Sequence, residues 1–97
     1  MTELNSNSVV QQRQEFLCAP MGDELAMMNL ETGKYLVLDR IATVIWAQLE
    51  QPVMVGDLVD RLQARFEVDR ARCERDVLTL LQQLSSKGML HVADAQP

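Results

Sequence analysis

The side chains able to do catalytic chemistry are few in this sequence. His91 is the only histidine, and no cysteine or carboxylate stands at metal-ligand spacing from it. Cys18 and Cys73 lie far apart without a CxxC spacing. No Ser-His or Cys-His pair, phosphate loop or metal cluster can be assembled from what is present. An enzyme is therefore the weakest functional class, and no cofactor is expected. The chemistry that remains is that of the main chain. Lys34-Tyr35-Leu36-Val37-Leu38 is an apolar strand candidate with no proline and no charge beyond Lys34. At the edge of a sheet it lacks the usual defences against pairing, and such an edge can add a peptide as a further strand.

The elements around it follow from pattern. Glu15–Pro20 reads as a first strand, Met21-Gly22-Asp23 as a turn, and Glu24–Leu30 and Tyr35–Leu38 as a hairpin in which Gly33 supplies a positive φ. The expected sheet is a three-stranded meander with Tyr35–Leu38 at its edge, its opposite strand defended by Pro20. Asp39 caps a helix from Arg40 to about Glu50, with Ile41, Val44, Ile45 and Leu49 on one face and Trp46 beside them. Pro52 ends it. Gly56-Asp57 opens a second helix with Leu58, Val59, Leu62 and Phe66 buried. A third runs from near Asp69 to Lys87 with Cys73, Val77, Leu80, Leu81 and Leu84 in register, and Gly88 closes it. Met89–Val92 is a short extended return.

Composition bounds the class. A chain of 97 residues suits one small domain that buries roughly 60–65% of its unfolded surface, too small for a large catalytic cavity. The 47% apolar content builds an aliphatic core, with only Phe16, Tyr35, Trp46 and Phe66 aromatic. No apolar run approaches the roughly 20 residues needed to cross a bilayer, so no membrane partner is expected. The N-terminus lacks the basic and apolar regions of a secretory signal, which suggests a cytoplasmic address. Residues 1–14 read as a polar flexible segment, 15–93 as the folded domain and 94–97 as a tail, both ends fraying.

An α+β fold of three antiparallel strands followed by three helices is the outline of a winged helix-turn-helix. Such a fold serves DNA or peptide equally well. A net charge of −5 opposes phosphate-backbone binding, and Arg70, Arg72 and Arg75 on the last helix are offset by Asp69, Glu74 and Asp76. Nucleic acid is not the expected partner, although a small dimeric DNA-binding regulator remains the alternative. A structural subunit that pairs with itself through the same edge is a third reading.

In order, the hairpin, Leu38-Asp39-x-x-Ala42, Ile45-Trp46, Val55-x-x-Leu58, and Asp76, Val77, Leu80 and Leu84 leading to Gly88-Met89-Leu90 resemble the PqqD-like domains, also called RiPP recognition elements. The resemblance spans roughly Leu25 to Leu90. The Gly33-x-Tyr35-x-x-Leu38-Asp39 pattern with Ile45-Trp46 is most similar to the stand-alone members of lasso-peptide pathways, while members serving pyrroloquinoline quinone (PQQ) synthesis remain a second assignment. The resemblance implies a non-catalytic adaptor that binds the leader of a ribosomally made precursor by strand addition. It would present that precursor to a tailoring enzyme: a leader peptidase followed by a cyclase, or a radical enzyme carrying iron–sulfur clusters. It implies a peptide site made of Lys34, Tyr35, Leu36, Val37 and Leu38 on the edge, faced by Arg72, Arg75, Asp76, Thr79, Leu80 and Gln83 on the third helix. Arg72, Arg75 and Thr79 would form a stripe for acidic or polar leader side chains. A monomer or weak homodimer is expected.

Plainer readings stand beside these. Tyr35 can be a partly buried strand aromatic, Trp46 a core anchor, and Met27 and Met28 core packing. Arg72 and Arg75 can be a solvated face paired with acids, and Asp76 a brace. Both cysteines read as buried, inert thiols.

Overall fold

The computed structural model describes residues 4–13 and 16–94. Glu15, placed above at the start of the first strand, lies outside the described residues, as do positions 1–3, 14 and 95–97 of the two expected ends. The elements run β1 (Ser8–Gln12), β2 (Phe16–Met21), β3 (Glu24–Asn29), β4 (Tyr35–Leu38), α1 (Arg40–Ala47), a 3-10 turn over Gln48–Glu50, β5 (Val53–Met54), α2 (Val55–Arg65), α3 (Arg70–Ser86) and β6 (Leu90–Asp94). The expected meander is present as an antiparallel sheet in the order β2-β3-β4, and the three helices follow it. The winged-helix outline is thus the observed α+β architecture.

The structure adds a second antiparallel sheet, β5-β1-β6, that the sequence reading did not contain. Ser8–Gln12, expected to be flexible, is its central strand. Val10 pairs with Val53 on one side and Val92 on the other and is fully buried. Side chains then tie this strand to the helices. The Gln12 Nε2 donates to the Trp46 carbonyl (2.8 Å) and the Gln11 Nε2 to the Glu50 carbonyl (3.3 Å), satisfying acceptors where α1 runs out. At the start of α2, Met54 offers no capping side chain, and the Gly56 amide instead donates to the Ser6 carbonyl (2.9 Å). The strand and the residues just before it are ordered because Val10 is buried, the glutamines satisfy the end of α1 and its 3-10 turn, and Ser6 meets the start of α2.

The helices begin and end for local reasons. Asp39 accepts from the Ala42 amide (2.8 Å) and Asp69 from the Arg72 amide (3.1 Å), so each carboxylate satisfies a first-turn donor. Leu58, Val59 and Leu62 of α2 meet Val77, Leu81 and Leu84 of α3 in one core with Ile45, Trp46 and Leu49. Each such side chain contributes about 1.5–3 kcal/mol when fully buried. Trp46 takes the core position, with Phe16 edge-on at a centroid distance of 5.1 Å.

Three expectations about burial are corrected. Met28 lies on the outer face of the β2-β3-β4 sheet, where Leu17 and Tyr35 flank it on the neighbouring strands; Met27 alone is core. Cys18 is exposed, on the edge strand β2. Ile41 is 47% exposed, since α1 buries only its second half.

One buried polar residue joins the hairpin to the helices. Asn29, 5% exposed, closes the β3–β4 turn by accepting at Oδ1 from the Glu31 and Thr32 amides (2.8 and 3.2 Å). Its Nδ2 donates to the Lys87 and Gly88 carbonyls at the end of α3 (3.0 and 3.1 Å). Gly88 has φ of +70°, and a Cβ there would stand 2.7 Å from that nitrogen, so glycine is required twice over. Replacing Asn29 by Ala should cost about 2–4 kcal/mol, since four part-buried hydrogen bonds are lost together; urea denaturation monitored by circular dichroism measures it.

Candidate functional site

β4 is an edge of its sheet, and its direction of bonding follows from one contact. The Asn29 amide donates to the Lys34 carbonyl (2.8 Å), and the two residues are opposite in the same register that pairs Met27 with Leu36 and Leu25 with Leu38. Bonded and non-bonded pairs alternate in an antiparallel ladder, so Leu36 and Leu38 bond inward to β3. The amides and carbonyls of Tyr35 and Val37 therefore point to the open edge. The same parity sends the Leu36 and Leu38 side chains toward the core and leaves Tyr35 71% and Val37 47% exposed.

The open edge borders a groove of about 480 Å³ whose far wall is α3. Leu36, Val37 and Leu38 line one side, Asp76, Thr79, Leu80 and Gln83 the other, and Ile41, Ala42 and Ile45 of α1 the floor. The α3 residues fall at i, i+3, i+4 and i+7, a single helical stripe. Leu80, in the apolar register of α3 and expected on the groove wall, is half-buried and lines this groove. The Thr79 hydroxyl donates to the Arg75 carbonyl (2.9 Å), which leaves its oxygen lone pairs for a ligand donor.

Not all the expected residues meet there. Lys34 and Tyr35 line an adjoining hollow at the start of β4, where Lys87 is the facing cation. Arg75 lies on another flank of α3, with Ala71, Glu74, Leu78 and Gln82. Arg72 borders a separate cavity between the helices and makes a loose, exposed pair with Asp76 (3.9 Å), a contact worth about 0–1 kcal/mol. The expected arginine stripe is thus divided between two surfaces. Carboxylates instead border the strand groove, from Glu24, Asp39 and Asp76. Sequence reasoning did not place Glu24, Asp39, Ile41, Ala42 or Ile45 in the site; the signal for Ile41 was its place one residue into a helix whose cap adjoins the strand.

Neither thiol is poised as a nucleophile. Partial desolvation pushes the Cys18 thiol up, and burial followed by repulsion from Asp76 does the same to Cys73. Among the described residues no helix is long and apolar enough to cross a membrane.

The sequence model of the family described as coenzyme PQQ synthesis protein D matches residues 24–90. Two proteins named PqqA binding protein, from Rhodopseudomonas palustris strains CGA009 and TIE-1, are 37% and 36% identical over 61 residues, 63% of this chain. The chain matches only 60% of the length of each of these relatives. Among solved structures, TbiB1 in complex with the TbiA(beta) leader peptide is similar with a TM-score of 0.73 and 32% identity, over 84% of this chain and 94% of that one. Lasso peptide synthetase B1 complexed with its leader peptide gives 0.71 and 26%, over 84% and 96%.

The edge geometry predicts unequal effects of proline along β4. Leu36→Pro removes a ladder donor and should destabilise by about 3 kcal/mol or more, whereas Val37→Pro removes an amide that bonds to nothing in the sheet and should cost at least about 1 kcal/mol less. Paired urea melts of the two variants test it, and equal losses would contradict the register.

Proposed function

The chain belongs to the PqqD family, and on that premise we propose that it is a non-catalytic adaptor that binds the leader segment of a ribosomally made precursor peptide and presents it to a tailoring enzyme. The observation that carries this reading is the open edge of β4 beside the α3 groove. A peptide laid along β4 can exchange up to four hydrogen bonds with the amides and carbonyls of Tyr35 and Val37. At about 0.5–1.5 kcal/mol net per bond these give about 2–6 kcal/mol, short of the roughly 8 kcal/mol of a micromolar complex. The groove must supply the remainder, and it is there that Leu36, Leu38, Ile41, Leu80, Thr79 and Gln83 select the side chains.

The charge lining the groove alters the ligand first expected. With Glu24, Asp39 and Asp76 around the Leu38 end and Lys34 and Lys87 around the Tyr35 end, the site suits a peptide that is basic at one end and acidic at the other. A uniformly acidic leader fits less well.

The lasso-peptide reading, in which the tailoring enzyme is a leader peptidase, is supported by the two structural relatives solved in complex with leader peptides, which this chain matches over 94% and 96% of their length. The PQQ reading, with a radical enzyme as partner, is supported by the names of the sequence relatives. DNA binding is not favoured: 9 lysines and arginines stand against 14 acidic residues, and Arg70 and Arg72 of α3 are paired with Asp60 and Asp76. The adaptor works by raising the effective concentration of precursor at its enzyme, which needs no reactive group of its own.

Selection of 20-residue peptides from a random display library, with the TbiA(beta) leader and PqqA as defined probes, tests the reading. We expect enriched ligands whose affinity falls about tenfold or more with Val37→Pro and stays within about twofold with Leu17→Ser on the far strand. Failure to enrich any ligand, or indifference of the ligands to Val37→Pro in a folded protein, would overturn it.

A further inference from the structure

The outer face of the β2-β3-β4 sheet is apolar where an antiparallel sheet with one solvated face is ordinarily polar. Strand pairing sets its side chains in rows across the strands. Leu17, Met28 and Tyr35 form one row, Ala19, Ala26 and Val37 the next, and Met21 stands opposite Glu24 in a third. Leu17, Met28, Tyr35 and Val37 are 57%, 38%, 71% and 47% exposed. Glu24, at the margin, is the one charge in the three rows. The first row is therefore a ridge of long side chains, and the second, two alanines and a valine, is a trough beside it. The rows lie roughly 7 Å apart, two residues along each strand.

A ridge next to a trough makes the face complementary to its own copy. A second domain turned by 180° about an axis that runs across the strands, between the two rows, lays its ridge in the first domain's trough and receives the first domain's ridge in return. Such a contact is isologous and closes at two copies. The two sheets carry the same twist, as face-to-face packing with strands about 30° apart requires. A foreign partner finds little polar purchase here, with only the Tyr35 hydroxyl and the marginal Glu24, whereas a second copy needs none. Size sets the strength. Three strands about 4.8 Å apart, each with about five residues at about 3.3 Å, give a footprint on the order of 250 Å² per copy, far short of the roughly 800 Å² per partner of a standard interface. A peptide added to β4 widens the face by a fourth strand, and because the axis stacks β4 on β4, both peptides join the contact on the same side. We propose that the domain self-associates through this face as a weak two-fold dimer, and that bound peptide strengthens the dimer. The second part rests on the leader-binding reading; the first does not.

Sedimentation equilibrium of the protein from about 5 to about 500 µM, alone and with a saturating display-enriched peptide, tests both parts. The expected result is monomer at the low end, dimer accumulating toward the high end, and a dimer dissociation constant about three- to tenfold lower with peptide. Met28→Lys sets a like charge in the middle of each ridge and should keep the protein monomeric throughout. Ala19→Leu makes the face more apolar but fills the trough, and should weaken the dimer by about threefold or more. Both positions are exposed on the outer face, so the core is untouched, which thermal melts verify, and at about 5 µM both variants should bind peptide as the wild type does. A protein that stays monomeric to the highest concentration with and without peptide would overturn the dimer and leave the face to a different protein. An Ala19→Leu dimer tighter than that of the wild type would overturn it too, since apolar surface without shape would then drive association. A dimer that peptide leaves unchanged, while Val37→Pro still weakens the peptide, would overturn the coupling alone. Loss of that Val37→Pro effect would instead overturn the strand-addition reading and leave the dimer standing.

Discussion

The relation between β4 and α3 depends on a single buried amide. Asn29 closes the β3–β4 turn with its oxygen and grips the end of α3 with its nitrogen, so the strand edge and the helix that faces it share one anchor. A buried amide of this kind is stabilising only when its partners are all in place, since the low local dielectric strengthens made bonds and penalises unmade ones. Gly88 completes the arrangement by leaving room where any side chain would collide with the Asn29 nitrogen. Groove width is set there: the contact fixes how far the Tyr35–Leu38 edge stands from the Thr79 and Gln83 stripe. Hydrophobic packing of Leu38, Leu81 and Leu84 supplies bulk stability, but it is non-directional and would tolerate a sliding hairpin.

Much of this architecture was legible in the sequence because it is written in local patterns. Asp39 and Asp69 announce helix starts, the 3.6-residue recurrence of Val77, Leu81 and Leu84 gives a buried stripe, and Gly33 marks the turn before β4. β1 was not legible. Its sequence, Ser-Val-Val-Gln-Gln, has adjacent valines rather than alternation, and its partners are a two-residue strand and a strand near the far end of the chain. Its order comes from non-local pairing and from glutamines that cap a helix end, neither of which leaves a periodic signal. Asn29 was hidden for the same reason: its partners are at positions 87 and 88, and in sequence it is only a polar residue before a turn.

The site was half legible. Strand and stripe could be read, since β4 is an uninterrupted apolar run and Asp76, Thr79, Leu80 and Gln83 share a helical face. Which arginines joined them could not, because helical spacing fixes the angle between side chains but not which neighbour each sector faces. Arg72 and Arg75 flank the same stripe and yet border different hollows, since α3 meets α2 on one flank and solvent on another. The resemblance had implied an arginine stripe on that wall; three-dimensional placement puts carboxylates from β3, the α1 cap and α3 there instead.

That placement bears on how so small a domain can be selective. The edge offers only two outward-facing residues, and main-chain bonds are nearly blind to sequence, so β4 alone would accept many extended peptides. Selectivity must come from features that a register shift would spoil. An apolar groove beside the strand is one, and opposite charges at its two ends are another, because a peptide bound backwards would bring like charges together. Exposed charge pairs add little affinity, but unfavourable approaches still slow the wrong encounters and bias orientation. On the proposed function, a domain built this way need not bind tightly to be useful. It has only to bind one orientation of one class of peptide long enough for a second protein to act, and a short edge with a polar gradient meets that requirement where a long, uniformly sticky strand would instead pair with itself.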